Sequence, residues 1–406
     1  MLKTELLEII NNGENSGTEF KRDDIPSEQL AKEVVAMANF QGGRVLLGVE
    51  DDGTITGVQR KDLEEWVMNV FQSKIHSMIL PYYEEVKLDD GKVVAVISFP
   101  LGISKPYVLR HGGKEEIYIR IGTTSRLATR EQQMRLFELG GMLHTEAMPV
   151  PRTDINALDD ARLVNYIRDI LRDPDVPQTP EAWQSRLLAL GFLAEAAGNV
   201  CCTIAGLVLF GKNPRRYLKQ AGLRVMVFHG DDKEYQAALD EIIDGPMVGR
   251  FDVAQGDKRL IDGGIIERFM QTMSPFISQE AGEINQDLRR ETQWFYSLEA
   301  VREALMNALA HRDWTRFVEI EVSAYSDRLE IISPGTLANS MTVEKMKAGR
   351  RSPRNTIVME VLRDYGYVDY RGMGVRKKIV PLSKALSGKK PSFELTEDYL
   401  KTVLYR

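Results

Sequence analysis

The stretch Ser297–Trp314, SLEAVREALMNALAHRDW, limits what this chain can fold into more than any other. Leu298, Val301, Leu305, Ala308 and Leu309 recur at i, i+3, i+7, i+10 and i+11. That spacing is a continuous apolar stripe, which requires an amphipathic helix laid against a core. Glu303 and Asn307 are four apart and share one face of that helix. A carboxylate beside a neutral amide oxygen suits a hard cation: the amide ligates Mg2+ while the carboxylate polarises a water. Surface helices carry the same pair without any function, so the pair alone leaves both readings open.

Further along, Arg371–Lys378 reads RGMGVRKK, with Gly372 and Gly374 bracketing Met373 ahead of a basic stretch. Backbone amides freed by the two glycines, with a helix N-terminus behind them, form a cradle for phosphate oxygens. Arg376, Lys377 and Lys378 add positive charge, and a plain loop is the bland alternative. Between the two motifs, residues 318–337 alternate apolar and polar on either side of Ser326–Asp327, a hairpin pattern. Ser333–Pro334–Gly335 then signals a turn.

Helix, hairpin, turn and Gly-rich loop in this order resemble the GHKL ATP-binding fold, and most closely its divergent branch of RecG-related ATP-binding regulators. The resemblance spans roughly Leu298 to Arg406, and His311–Arg312–Asp313–Trp314 is similar to that branch too. It implies ATP and Mg2+ as cofactors, Glu303 as the water-activating base and Asn307 as the Mg2+ ligand. Gly335, Gly372, Gly374 and Arg376 join them at the nucleotide. The usual D-x-G-x-G that holds the adenine amine is replaced by ISPGTL, so ATP binding is expected rather than fast turnover.

At 406 residues, a prior of about 150 per domain suggests two or three domains. The net charge of −6 argues against indiscriminate polyanion binding and still allows a local basic groove. Cys201 and Cys202 are adjacent inside an apolar run, which suits small core residues in a reducing compartment. No long apolar run opens or crosses the chain, so a cytoplasmic protein without a membrane span is expected.

The first third reads as an α+β unit: a helix over Glu28–Asn39, and strands over Arg44–Val49, Thr54–Val58, Tyr83–Leu88, Val93–Phe99 and Glu116–Ile121. A helix at Asp62–Met78 packs among them. Glu14 and Glu19 flank N-S-G-T, Lys21 follows, and Asp51 and Asp52 end a strand. Carboxylates brought together beside a lysine are what a Mg2+ or Mn2+ phosphodiesterase site needs. Acidic residues beside glycine are also ordinary turn formers. The succession E-x4-E-F-K, A-N-x-x-G-G, G-V-E-D-D-G and Y-I-R-I-G, over about Leu6 to Phe137, resembles the Schlafen-type AlbA domain. That resemblance implies nucleic-acid binding and, in members with RNase activity, a metal-dependent site. Here its residues would be Glu14, Glu19 and Asp51, with Lys21 beside them.

Arg120, Arg126, Arg130 and Arg135 gather around the Gly122–Ser125 turn as candidate phosphate contacts. Lys105–Pro106–Tyr107, with Arg110 and His111, offers a stacking ring; arginines paired to Glu131 and Glu138 are the alternative. After a linker near 140–159, helices at Leu158–Leu171 and Ala182–Glu195 and a strand at Cys201–Phe210 suggest a degenerate winged helix. A strand follows at Leu223–Phe228, then a helix at Phe251–Thr272. Arg215 and Arg216 there are phosphate contacts or a solvated pair. Arg350, Arg351 and Arg354 fall where GHKL proteins carry a lid over ATP. The chain reads as ending at Arg406 without the winged helix that relatives place after the ATPase, which makes sequence-specific transcriptional control a weaker expectation.

The expected architecture is α+β and multidomain: a Schlafen AlbA-like α/β domain over 1–140, a helical, winged-helix-like connector over 150–290 and a GHKL-like α/β sandwich over 291–406. The expected protein binds ATP and nucleic acid (RNA or DNA), and the related folds imply a homo-oligomer. One reading adds metal-dependent cleavage in defence or stress under nucleotide control. The other is a non-cleaving, ATP-responsive DNA-binding regulator.

Overall fold

The structure, a computed structural model, describes residues 1–406 except 103, 142, 255–256, 285–289, 338–340, 351, 369–371 and 397. The chain divides into two compact units, residues 1–143 and 144–406, and both mix helices with sheets. Among the described residues, no helix is long and apolar enough to cross a membrane.

In the first unit, helix α1 (Lys3–Asn11) precedes strand β1 (Thr18–Lys21), helix α2 (Ser27–Phe40) and strand β2 (Gly43–Leu47). Helix α3 (Leu63–Lys74), strands β3 (Tyr82–Lys87) and β4 (Val93–Phe99), and the hairpin β5 (Tyr118–Ile121) with β6 (Thr124–Leu127) follow. The sheet runs in the order β1-β2-β4-β3, with β1 parallel to β2 and the other pairs antiparallel.

Alternation along β2 sorts the core. Val45 and Leu47 face Leu30, Val34 and Val35 of α2, while Leu46 joins Leu6, Phe20 and Val96 in a second cluster. Each such side chain removed from water contributes about 1.5–3 kcal/mol. The same alternation puts Phe20 in the core and leaves Glu19 and Lys21 together on one side of β1.

The second unit is built on a six-stranded mixed sheet. Its strands are β7 (Leu223–Val227), β8 (Leu239–Ile243), β9 (Ile320–Ala324), β10 (Arg328–Pro334), β11 (Ser392–Leu395) and β12 (Tyr399–Tyr405), in the order β8-β7-β9-β10-β12-β11. Helix α5 (Leu298–His311) packs on β10, so the hairpin expected over 318–337 lies beside the Glu303/Asn307 helix. Val301, Leu305, Ala308 and Leu309 are buried, and so are Ala304 and Met306. The helix is wrapped by core well beyond its predicted stripe.

Three expectations change in this unit. The helix expected over Ala182–Glu195 runs Pro180–Ala189 and gives way to a strand at Leu193–Ala196. The run Cys201–Phe210 is a strand only to Cys202. Thr203 then accepts from Gly206 N at 3.0 Å and starts helix α4 (Ile204–Phe210). An N-cap hydroxyl there outweighs the β-branched apolar composition. Residues from Phe251 onward form a hairpin, Arg250–Ala254 with Asp257–Asp262, before a helix at Ile265–Ile277. Cys201 and Cys202 are buried free thiols.

Candidate functional site

In the second unit, a cavity of about 380 Å³ opens between α5, the end of β10 and helix α6 (Thr356–Asp364). Glu303, Asn307, Gly335, Gly372 and Gly374 all line it. Glu303 is buried, and Asn307 Nδ2 donates to its Oε1 across 3.4 Å, as expected for residues one turn apart. Lys378 Nζ lies 3.2 Å from Glu299 and 3.9 Å from Glu303.

Gly374 is required by this packing: a Cβ there would stand 1.7 Å from Glu303 Oε1. Gly335, at φ +100°, is held against Asp313 and Arg354, with a Cβ position 2.3 Å from Asp313 Cβ. Arg376 does not line the cavity. On the π-helical turn Gly374–Ile379, Val375 and Ile379 point inward and Arg376 and Lys377 outward, so that expectation is corrected. Arg371 and Arg351 lie outside the described residues.

Arg350 and Arg354, expected at a lid over ATP, and His311 of the H-R-D-W run also line the cavity. Arg354 is buried, donates to Thr336 O at 2.8 Å and stands 3.9 Å from Asp313. Arg350 is exposed at the rim. His311 lines the cavity as a neutral imidazole; burial, with the charge of Arg354 adding, lowers it to about 4. The rest of His311–Trp314 is structural. The Arg312 guanidinium is buried 4.1 Å over Trp314 and donates to Gln220 O, Arg316 O and Val318 O. Burial lowers it to about 9.

In the first unit, β1, the segment before it and the turn after β2 bring Glu14, Glu19, Lys21 and Asp51 together. Lys21 Nζ is 2.8 Å from Glu19, 3.1 Å from Asp51 and 3.6 Å from Glu14. Glu14 also accepts from Phe20 N at 2.9 Å. Burial alone would lower the Lys21 ammonium, but the hydrogen bond and charge of Glu19, with Asp51 and Glu14, raise it above its usual range.

Arg120 is corrected. Its side chain is fully buried and bound to Glu19, to Glu33 at 3.0 Å and to Asn15 O at 3.1 Å, so it offers no phosphate an open face. Ser125 closes the network by donating to Glu33, whose carboxyl is raised by burial. Glu33 was legible in principle: it interrupts the apolar face of α2 three residues after Leu30.

Arg126 and Arg130 are exposed, and Arg135 pairs with Glu131 one helical turn away. The expected stacking ring is absent because Tyr107 and Lys105 are buried. Lys105 Nζ donates to Asn39 O at 2.6 Å and Phe40 O at 3.1 Å, capping α2. Arg215 is held by Ala221 O and Glu319.

The second unit thus carries a cavity of small-molecule size, and the first a separate carboxylate–lysine cluster. Residues 14–129 match the family described as "Schlafen, AlbA_2", and residues 318–404 match "Putative ATP-dependent DNA helicase recG C-terminal". The chain therefore joins a Schlafen AlbA_2 domain to a RecG-C-terminal ATPase-like domain. The first match contains Glu14, Glu19, Lys21, Asp51, Arg120 and Arg126. The second contains Gly335, Gly372 and Gly374 but begins after α5.

Among solved structures, the DIP2311 protein of Corynebacterium diphtheriae is 20% identical at a TM-score of 0.45, over 96% of this chain and 75% of that one. The N-terminal domain of a "Putative ATP-dependent DNA Helicase RecG-related Protein" of Nitrosomonas europaea is 24% identical at 0.24, over 31% and 92%. At these TM-scores neither likeness decides fold detail or activity. No curated protein matches the chain.

Proposed function

We propose that the cavity of the second unit binds ATP with Mg2+ and that its occupancy controls nucleic-acid binding by the first unit. The observation that carries this reading is convergence: Glu303, Asn307 and three glycines, drawn from separated segments, line one cavity of about 380 Å³. That volume is in the range of small-molecule sites. The site also fits the group it is asked to hold. Gly374 leaves Glu303 the space a Cβ would fill, and the Asn307 amide, donating through Nδ2, has its oxygen left for a hard cation. Bound Mg2+ supplies charge neutralisation for the phosphates. Glu303 is the residue to polarise water, and Gly372 and Gly374 bring backbone close to an anion. Calorimetry with ATP and Mg2+ tests the reading. Binding is expected, with Glu303→Ala suppressing any turnover while affinity persists; no heat from any adenine nucleotide overturns it.

A second reading, cutting of RNA or single-stranded DNA by the first unit, is favoured by one observation, the meeting of Glu14, Glu19 and Asp51 around Lys21. It ranks behind binding. Among the described residues, no group of three or more His, Cys, Asp or Glu is arranged to hold a metal ion, and Lys21 stands among these three. Labelled RNA and DNA incubated with Mg2+ or Mn2+, with and without ATP, decide between them. Cleavage that Glu19→Ala abolishes supports the second reading, and intact substrate in every combination removes it.

A further inference from the structure

Strand alternation places Glu19 and Lys21 on one side of β1, and the turn that follows β2 supplies Asp51. The Lys21 side chain is 15% exposed and lies among three carboxylates, within 2.8, 3.1 and 3.6 Å of them. Glu19 has no spare oxygen: Oε1 faces Lys21, and Oε2 is held by Arg120, which Glu33 fixes from behind. Asp51, with 79% of its side chain exposed against 20% for Glu14, is the widest opening of the cluster to solvent. The oxygens are of the kind a hard divalent ion takes, but the place between them is filled by the chain's own charge.

We propose that Lys21 is the resident cation of this cluster, holding the position that the Schlafen-type resemblance gives to Mg2+ or Mn2+, so that ammonium and divalent ion exclude one another. A divalent ion drawn to the oxygens that stand 2.8–3.6 Å from Lys21 Nζ would meet the ammonium at close range and be strongly repelled. Metal entry therefore requires Lys21 to swing out past Asp51, and removing the ammonium leaves Glu14, Asp51 and one oxygen of Glu19 without their cation. This is a statement about metal binding alone and does not rest on either reading of function above.

The test is Mn2+ titration of the full-length protein by calorimetry and electron paramagnetic resonance, comparing wild type with Lys21→Met and Lys21→Gln. Both variants are expected to bind Mn2+ at least about tenfold more tightly than wild type. The gained site should vanish when Glu19→Gln is added, which separates it from any Mn2+ site in the second unit. Wild-type binding as tight as that of the variants overturns the proposal. So does the absence of Mn2+ binding in all three proteins, since the carboxylates would then be no latent metal site.

A measurement on wild type covers the case of variants that do not fold. Reductive methylation of Lys21, followed by mass spectrometry, should be slow without metal and several-fold faster at saturating Mn2+. An unchanged rate means that lysine and metal coexist, and the proposal fails.

Discussion

The two units treat their acidic residues in opposite ways. In the first, Glu14, Glu19 and Asp51 converge and are met by Lys21, with Arg120 and Glu33 closing the cluster from behind. In the second, Glu303 and Asn307 face a cavity of about 380 Å³ with room for a ligand. A cluster whose carboxylates are met from within by Lys21 and Arg120 is held by its own ion pairs, while a cavity lined by a carboxylate and glycines leaves room for a partner. Converging carboxylates therefore do not by themselves indicate a metal; what fills the space among them decides.

The largest way to break this contrast is to empty the first cluster from behind. Arg120→Met leaves Glu19 and Glu33 buried without their shared cation, and loss of one partner from such a buried network costs about 3–5 kcal/mol. Denaturant unfolding of the full chain should show the corresponding loss in the transition of the first unit. Adding Glu33→Gln should recover part of it. A harmless Arg120→Met would mean that the cluster is not held from within.

Next in size is the cavity itself. Gly374→Ala drives a methyl group toward Glu303 Oε1, a clash that overpacking costs put at about 1–3 kcal/mol. Expressed as nucleotide affinity, that is roughly a 10- to 100-fold loss in calorimetry. Gly366→Ala sharpens the result, because no atom lies within 4 Å of a Cβ at Gly366. Its φ of +73° adds a local strain cost but should leave affinity unchanged. Equal losses in the two variants would detach Gly374 from the site.

These predictions rest on features of unequal legibility. The helix carrying Glu303 and Asn307 and the α2–β2 core follow from periodicity, because apolar spacing dictates which faces are buried, whereas the grouping of Glu14, Glu19 and Asp51 is implied only by the Schlafen-type resemblance. The resemblance puts Lys21 beside these acids, but the sequence could not show that its ammonium would stand within 3.6 Å of all three, because that depends on how the turns carrying Glu14 and Asp51 fold back on β1. Arg120 was misplaced for a related reason. Arginines near a glycine turn look alike in a string, and only the alternation of β5 separates buried Arg120 from the exposed cations. Helix α4 was hidden because Ile204–Phe210 is apolar all round, where helix and strand share one pattern.

A smaller effect distinguishes the units by pH. His311 has a folded value of about 4 against an ordinary 6.5, so the unfolded chain takes up the proton first as pH falls. The stability His311 contributes is complete above about pH 6.5 and is lost progressively toward pH 4. It amounts to roughly 1–2 kcal/mol once partial contact with the cavity is discounted. Denaturation midpoints of the second unit at pH 7.5, 6 and 5 should fall in wild type and flatten in His311→Gln. Identical slopes would show that the imidazole is not held neutral by its surroundings.

The smallest stability effect belongs to Arg126 and Arg130, which are exposed, unlike the inward Arg120. Replacing either with alanine should change stability by no more than about 0.5 kcal/mol, because no buried contact is lost. If they position nucleic acid, each replacement weakens binding to all sequences alike and lowers the salt slope of the affinity by about 1. Fluorescence anisotropy with labelled RNA and DNA across a salt series reads both quantities in the intact chain. An unchanged slope in the double variant would move the nucleic-acid face elsewhere on the first unit and leave Arg126 and Arg130 as solvated charges. A reduced slope without loss of stability would place recognition on cations that the carboxylate cluster does not use. Binding would then be separable from whatever Lys21 and its three acids do.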